Sequence, residues 1–188
     1  MMAQAVRPVL VIVDVQNGFA RDVSRHVVPV IAELADRWQD AGHDVVFTRY
    51  FNLPGSQYER LFGWTSLQGP PETDIVPELA ESAGRATAIV DKHIYSLFTK
   101  AGSELVRGHG WTDLYICGIA TESCVLKTAA DAFERDLTPW IIEDASASHA
   151  GAEAHHAGIL VARRFIGPNQ IVQVAELTDR VLPAQRVA

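Results

Sequence analysis

Three side chains in this sequence could act as one nucleophilic set if the fold brought them together: the carboxylate of Asp14, the ammonium of Lys92 and the thiol of Cys124. A cation beside a thiol favours thiolate, and a carboxylate beside it can take the thiol proton as general base. Cys124 lies in Gly118-Ile119-Ala120-Thr121-Glu122-Ser123-Cys124-Val125, between an apolar run, Leu114-Tyr115-Ile116-Cys117, and a helix-like run from Leu126 to Phe133. A cysteine that opens a helix just beyond a strand sits where α/β sheets build their active sites, and the positive end of the helix dipole lowers its pKa. Each residue alone has a plainer reading. Cys124 is then a small buried hydrophobe, and Asp14 with Lys92 a buried ion pair. Convergence decides between the two.

The elements that would position these residues are legible in the hydropathy. Residues 9–15 form an apolar, largely β-branched run carrying Asp14, the pattern of a strand buried on both faces of a parallel sheet. Residues 27–41 read as an amphipathic helix, with Ile31, Leu34, Ala35 and Trp38 on one stripe and Gly42 as its stop. Further strands are predicted at 44–49, 86–91, 114–117, 138–143 and 171–174. Helices are predicted at 75–83, at 103–109 with Ser103 as cap, from the Cys124 segment to about 135, and at 150–165, with a short helical tail. This alternation implies a three-layer α/β/α architecture around a mostly parallel six-stranded sheet, with residues 1–188 as one domain. Strand C-termini share one edge in such a sheet, and ligands bind there. Asp14, Lys92 and Cys124 fall at the ends of the first, third and fourth strands.

Segment 50–73 breaks the alternation. It interleaves Pro54, Gly55, Gly63, Gly69, Pro70 and Pro71 with Tyr50, Phe51, Tyr58, Phe62 and Trp64. So many aromatic residues disfavour disorder, so the loop should cover a pocket or a subunit interface. By position, Phe19, Trp64, Tyr95 and Thr121 are pocket walls suited to a small, partly planar or apolar ligand. Asn52 either hydrogen-bonds a polar group of the substrate or caps the loop.

A net charge of −7 without a basic cluster argues against nucleic-acid or anionic-membrane partners. The apolar run 9–13 stops at Asp14, far short of a membrane span, and the N-terminus lacks signal architecture. The two cysteines, Cys117 and Cys124, flank a predicted turn that a disulfide would distort. A reducing, cytoplasmic setting is the expectation. The histidines read as solvated or capping, with His93 structural beside Lys92 and the adjacent His155 and His156 on different helix faces. No G-x-S-x-G elbow, P-loop or G-x-G-x-x-G fingerprint occurs.

Four blocks, in their order and spacing, resemble the isochorismatase-like cysteine hydrolases, the group with nicotinamidases, N-carbamoylsarcosine amidase and ureidoacrylate amidohydrolases. They are Val13-Asp14-Val15-Gln16-Asn17-Gly18-Phe19, Asp91-Lys92-His93-Ile94-Tyr95-Ser96-Leu97-Phe98, the Gly118 to Val125 segment, and Asp144-Ala145-Ser146-Ala147-Ser148. The resemblance covers nearly the full length. It implies hydrolysis of an amide or ureido C–N bond in a small molecule, without a cofactor: Cys124 as nucleophile, Asp14 as general base and Lys92 as cationic partner. It also implies a cis peptide at Ile119–Ala120 that turns the Ala120 N–H toward the site, and an oxyanion hole from the N–H groups of Ala120 and Cys124. A homodimer or homotetramer is implied as well. Nicotinamidases of the group hold a metal through an aspartate and histidines just after the second strand. Arg49-Tyr50-Phe51-Asn52-Leu53-Pro54 offers neither residue type, so no metal is expected. Isochorismatase itself cleaves a vinyl ether without needing the cysteine, and that alternative stays open. So does a non-catalytic binding protein on the same fold, although the intact Asp14–Lys92–Cys124 set speaks against it.

Overall fold

A computed structural model describes residues 6–177 and 181–182. Its sheet has six strands: β1 (Pro8–Val13), β2 (Asp44–Tyr50), β3 (Ala88–Lys92), β4 (Asp113–Ile119), β5 (Thr138–Ala147) and β6 (Ile171–Val172). Their order is β3-β2-β1-β4-β5-β6, and every pairing is parallel. The expected three-layer α/β fold is thus present, with a sheet parallel throughout. Strand order reverses between β1 and β4, where the connections leave in opposite directions and open a crevice.

Burial on both faces explains the continuous apolar strands. Leu10 and Ile12 of β1 pack with Phe47, Tyr115 and Cys117 under α1 (Val28–Asp40). That helix contributes Val28, Ile31, Leu34, Ala35 and Trp38, the expected stripe, and each large side chain so buried stabilises by about 1.5–3 kcal/mol. Val9, Val11 and Val13 point the other way, joining Val106, Ala129, Ala132 and Ile159. Those residues come from α4 (Lys100–His109), α5 (Leu126–Phe133) and α6 (Ala152–Phe165).

Several boundaries differ from the expectation, each for a local reason. Segment 50–73 contains a helix, α2 (Gln57–Phe62), capped by Ser56 and ended by Gly63 at φ 63°. The helix expected at 75–83 divides into a 3₁₀ turn, Pro77–Leu79, and a short α3 (Ala80–Gly84). Helix α4 starts before Ser103 because Thr99 is its cap, the hydroxyl accepting the Gly102 N–H at 3.0 Å. Strand β5 continues to Ala147 across a register shift, pairing Ile116 with Ile141 and then Gly118 with Ser146. Strand β6 is two residues long, and a 3₁₀ turn, Val174–Leu177, follows. Most of the expected helical tail lies outside the described residues. Among the described residues no helix is long and apolar enough to cross a membrane.

One glycine is fixed by close approach at the switch point. Gly118 pairs with Val13 at φ 120°, and a Cβ there would stand 2.1 Å from the Val13 carbonyl oxygen. Only glycine lets β4 lie this close to the end of β1. Gly118→Ala should cost about 3 kcal/mol or more, seen as a lower urea midpoint; an unchanged midpoint would mean the strands part without penalty.

Candidate active site

Asp14 is the first residue beyond β1, at φ 51°, a left-handed conformation that aspartate tolerates better than most residues. Its N–H is shared between the Thr48 carbonyl and hydroxyl, both at 3.2 Å, and the Thr48 hydroxyl donates to Asp14 Oδ1 at 2.6 Å. Lys92 closes β3 two strands away. Its Nζ donates to Asp14 Oδ2 at 2.6 Å and to the carbonyls of Ile94 (3.1 Å) and Tyr95 (2.9 Å). All three ammonium donors are therefore used. Both side chains are wholly enclosed. Burial opposes the Lys92 charge, but Asp14 and then Cys124 outweigh it, so the ammonium is held above its ordinary pKa.

Cys124 belongs to a π-helical turn, Thr121–Val125, between β4 and α5. The Ile119–Ala120 peptide before it is cis. The Ala120 carbonyl accepts the N–H groups of Ser123 and Val125, on either side of Cys124, both at 3.2 Å. Three supports hold the turn from behind. The Thr121 hydroxyl lies 2.8 Å from His155 Nδ1. Glu122 Oε1 accepts the Ser148 hydroxyl at 2.7 Å. Gly158 of α6 packs so closely that a Cβ would reach within 2.8 Å of the Glu122 backbone.

Cys124 is nearly enclosed, and burial pushes its thiol pKa up; Lys92 pulls it down and Asp14 pushes it further up. The expected lowering is thus reversed, because desolvation of a thiolate, with Asp14 beside it, outweighs the pull of Lys92. Cys117 is likewise raised by burial, and it packs in the layer under α1, opposite the layer that holds Cys124. Both cysteines are free thiols.

A cavity of about 430 Å³ opens at Cys124, lined by Phe19, Tyr50, Tyr58, Phe62, Trp64, Tyr95, Ala120, Glu122, Ser123 and His149. Trp64 stacks on Phe19 and Tyr50, while Tyr58 meets Tyr50, Trp64 and Tyr95 edge-on. Phe19, Trp64 and Tyr95 are among these lining residues. Asn52 and Thr121 are not. The Asn52 amide nitrogen donates to the carbonyls of Trp64 (2.9 Å) and Ser66 (3.1 Å), and its oxygen accepts the Ser56 hydroxyl (2.6 Å), so this side chain holds the loop. Thr121 is fully buried and bound to His155.

His149, read from sequence as solvated or capping, stacks on Phe19 at 5.2 Å. Its position directly after Ser148, on the same sheet edge, was the available signal. Gln16 is a second residue whose role only the structure gives. Its amide nitrogen donates to the Tyr50 and Thr73 carbonyls and its oxygen accepts the Tyr50 N–H, clamping both ends of the aromatic loop to β1.

The residues after β2 do not fit a metal. Asn52 is spent on the loop, His93 Nδ1 is bound to the Phe51 carbonyl at 2.9 Å, and among the described residues no group of three or more His, Cys, Asp or Glu side chains converges.

Fold and site together define a doubly wound α/β protein with an acid, an ammonium and a thiol gathered at its switch point. The chain belongs to the isochorismatase family: the family model of the isochorismatase domain matches residues 8–175. It is 30% identical to the nicotinamidase/pyrazinamidase of Mycobacterium tuberculosis over 163 residues, 73% of this chain and 85% of that protein. It is 31% identical to the isochorismatase of Bacillus subtilis over 155 residues, 75% of this chain and 48% of that protein. The structure of N-carbamoylsarcosine amidase from Thermoplasma acidophilum matches with a TM-score of 0.72 and 26% identity, covering 84% of this chain and 93% of that one. Hydrolases of more than one kind share the family, so membership alone leaves the bond open.

Asp14→Ala strands a buried ammonium and should destabilise by about 3–5 kcal/mol, whereas the paired change Asp14→Leu with Lys92→Met should cost clearly less. Equal denaturation midpoints for the two variants would contradict this. Burial also holds the His149 and His155 pKa values below the ordinary 6.5, with Arg21 adding to it for His149 and His156 for His155. The unfolded chain then binds more protons below that value, so stability is full above it and falls as the pH drops through it. His155→Gln should flatten the fall in Tm between about pH 7 and pH 5; a slope equal to that of the unsubstituted protein would exclude His155 as a contributor.

Proposed function

We propose that this protein hydrolyses an amide or ureido C–N bond of a small molecule through a Cys124 thioester. The observation that carries the proposal is the enclosed Asp14–Lys92 pair acting on the Cys124 thiol at the wall of a largely aromatic cavity. An ether-cleaving site has no need of a thiol there. A binding protein has no need of a buried ion pair beside one.

The raised thiol pKa means that Cys124 rests protonated, so proton transfer accompanies attack. Cys124 Sγ bonds to the substrate carbonyl carbon while Asp14 takes the thiol proton. Lys92, its hydrogen bonds to the Ile94 and Tyr95 carbonyls intact, keeps the carboxylate oriented. The N–H groups of Ala120 and Cys124 receive the oxyanion, each such donor being worth about 10²–10³ in rate. Asp14 returns the proton to the leaving nitrogen, the C–N bond breaks, and ammonia or an amine departs. Water then loses a proton to Asp14 and attacks the thioester, the C–S bond breaks, and Cys124 recovers its proton as the acid product leaves.

Cys124→Ala should lower turnover of a small amide by about 10⁴-fold or more, as loss of a triad member does elsewhere. Cys117→Ala should stay within a few-fold of the unsubstituted protein. Iodoacetamide should inactivate by alkylating Cys124, with substrate protecting. Undiminished turnover in Cys124→Ala would overturn the thioester.

A further inference from the structure

Resting on that reading, and extending it to the substrate, we infer that the part of the substrate beyond the scissile amide carries a positively charged nitrogen. The cavity at Cys124 is an aromatic cage for an ammonium group and rejects a carboxylate. Phe19, Tyr50, Tyr58, Trp64 and Tyr95 bring five aromatic rings to its wall, Tyr50 with the Lys92 ammonium already 5.4 Å from its ring centroid. Tyr58 stands steeply to its neighbours, 75° to Tyr50, 69° to Trp64 and 74° to Tyr95, while Trp64 lies within 25° of Phe19 and Tyr50, so the wall turns a corner at Tyr58. A cation within about 6 Å of aromatic faces is drawn to the ring quadrupoles. Burial raises the Tyr50 and Tyr58 phenol pKa values, so these rings stay neutral and keep that quadrupole.

The charges around the cavity point the same way. Neither lysine nor arginine is among its lining residues. Lys92 lies next to it, yet its charge is matched by Asp14 at 2.6 Å. The Arg21 Nε donates to the Gly18 carbonyl at 3.0 Å, and Arg21 lies outside the lining. Burial favours neutral His149 over its charged form. Glu122 is the lining residue with a formal charge. Its Oε1 accepts the Ser148 hydroxyl, while its Oε2, sealed from solvent, has no hydrogen-bond partner among the described residues. That partly uncompensated negative charge acts across a cavity walled by apolar rings, where screening is weak. A carboxylate entering the cage would shed its hydration and meet no cation. An alkylated ammonium, weakly hydrated, meets ring faces and a negative field.

Two measurements on the full chain test the inference. The first is ammonia release from three amides of similar size: betaine amide, its uncharged isostere 3,3-dimethylbutanamide, and succinamic acid. The kcat/KM for betaine amide should exceed that for the isostere by about tenfold or more, with succinamic acid slowest. Tyr58→Leu and Trp64→Leu should bring the ratio of the first two toward one. The second is independent of turnover: protection of Cys124 from iodoacetamide by tetramethylammonium, tert-butanol or pivalate. Tetramethylammonium should protect at about tenfold lower concentration than tert-butanol, and pivalate should protect least. Equal constants for the isosteres, or better turnover or protection with the anion, would overturn the cage and leave C–N hydrolysis standing. Ammonia release undiminished in Cys124→Ala would instead overturn the thioester reading.

Discussion

Two opposite charges with no access to water, Asp14 and Lys92, constrain nearly everything around them. Withdrawing such ions from solvent costs several kcal/mol each and is offset only when geometry is good and the remaining donors and acceptors are filled. The fold meets this demand with backbone. Strand β2 presents Thr48 to Asp14 from one register position, and the chain just past β3 turns the Ile94 and Tyr95 carbonyls back onto the ammonium. Pairing of Val13 with Thr48 and of Tyr50 with Lys92 sets the three strand ends so that the ions meet. A slip of one residue in either pairing would turn a charge into the apolar layers on either side.

The thiol is shaped by the same burial. Enclosure that brings the ion pair together also disfavours a free thiolate, so a reactive Cys124 depends on a neighbour able to accept its proton. The supports behind its turn are correspondingly dense: the Gly118 approach to β1, the Thr121–His155 and Glu122–Ser148 bonds, and Gly158 of α6 against the backbone. They come from β4, from the residue just past β5 and from α6. A short turn of five residues cannot fix its own N–H directions, and these contacts do it for the turn.

The aromatic loop is a separate module on this frame. Gln16 ties its two ends to β1, and Asn52 ties its middle to the carbonyls of Trp64 and Ser66. Polar side chains thus hold the backbone of the loop while Tyr50, Tyr58, Phe62 and Trp64 line the cavity. The Asp14–Lys92 pair and Cys124 sit on the sheet edge and most of the cavity's aromatic wall on the loop, so the two can vary independently.

Sequence alone determined the layer architecture, the six strands, the stripe of α1 and the convergence of Asp14, Lys92 and Cys124. Those features follow from periodic burial and from the rule that parallel strands end on one edge, both of which are local or topological. The motif blocks carried the family, and the position of Trp64 in an aromatic run carried part of the pocket. Sequence could not say that Asn52 faces its own loop, that His149 faces the cavity, or that Ser103 yields its cap to Thr99, because each residue has hydrogen-bonding or stacking choices of similar energy. Nor could it give the direction of the Cys124 pKa, where a helix start and a cation suggest one sign and burial imposes the other. Only the tertiary structure decided these. The competing terms differ in sign and depend on how many atoms surround a group, a quantity set by packing between elements far apart in the chain.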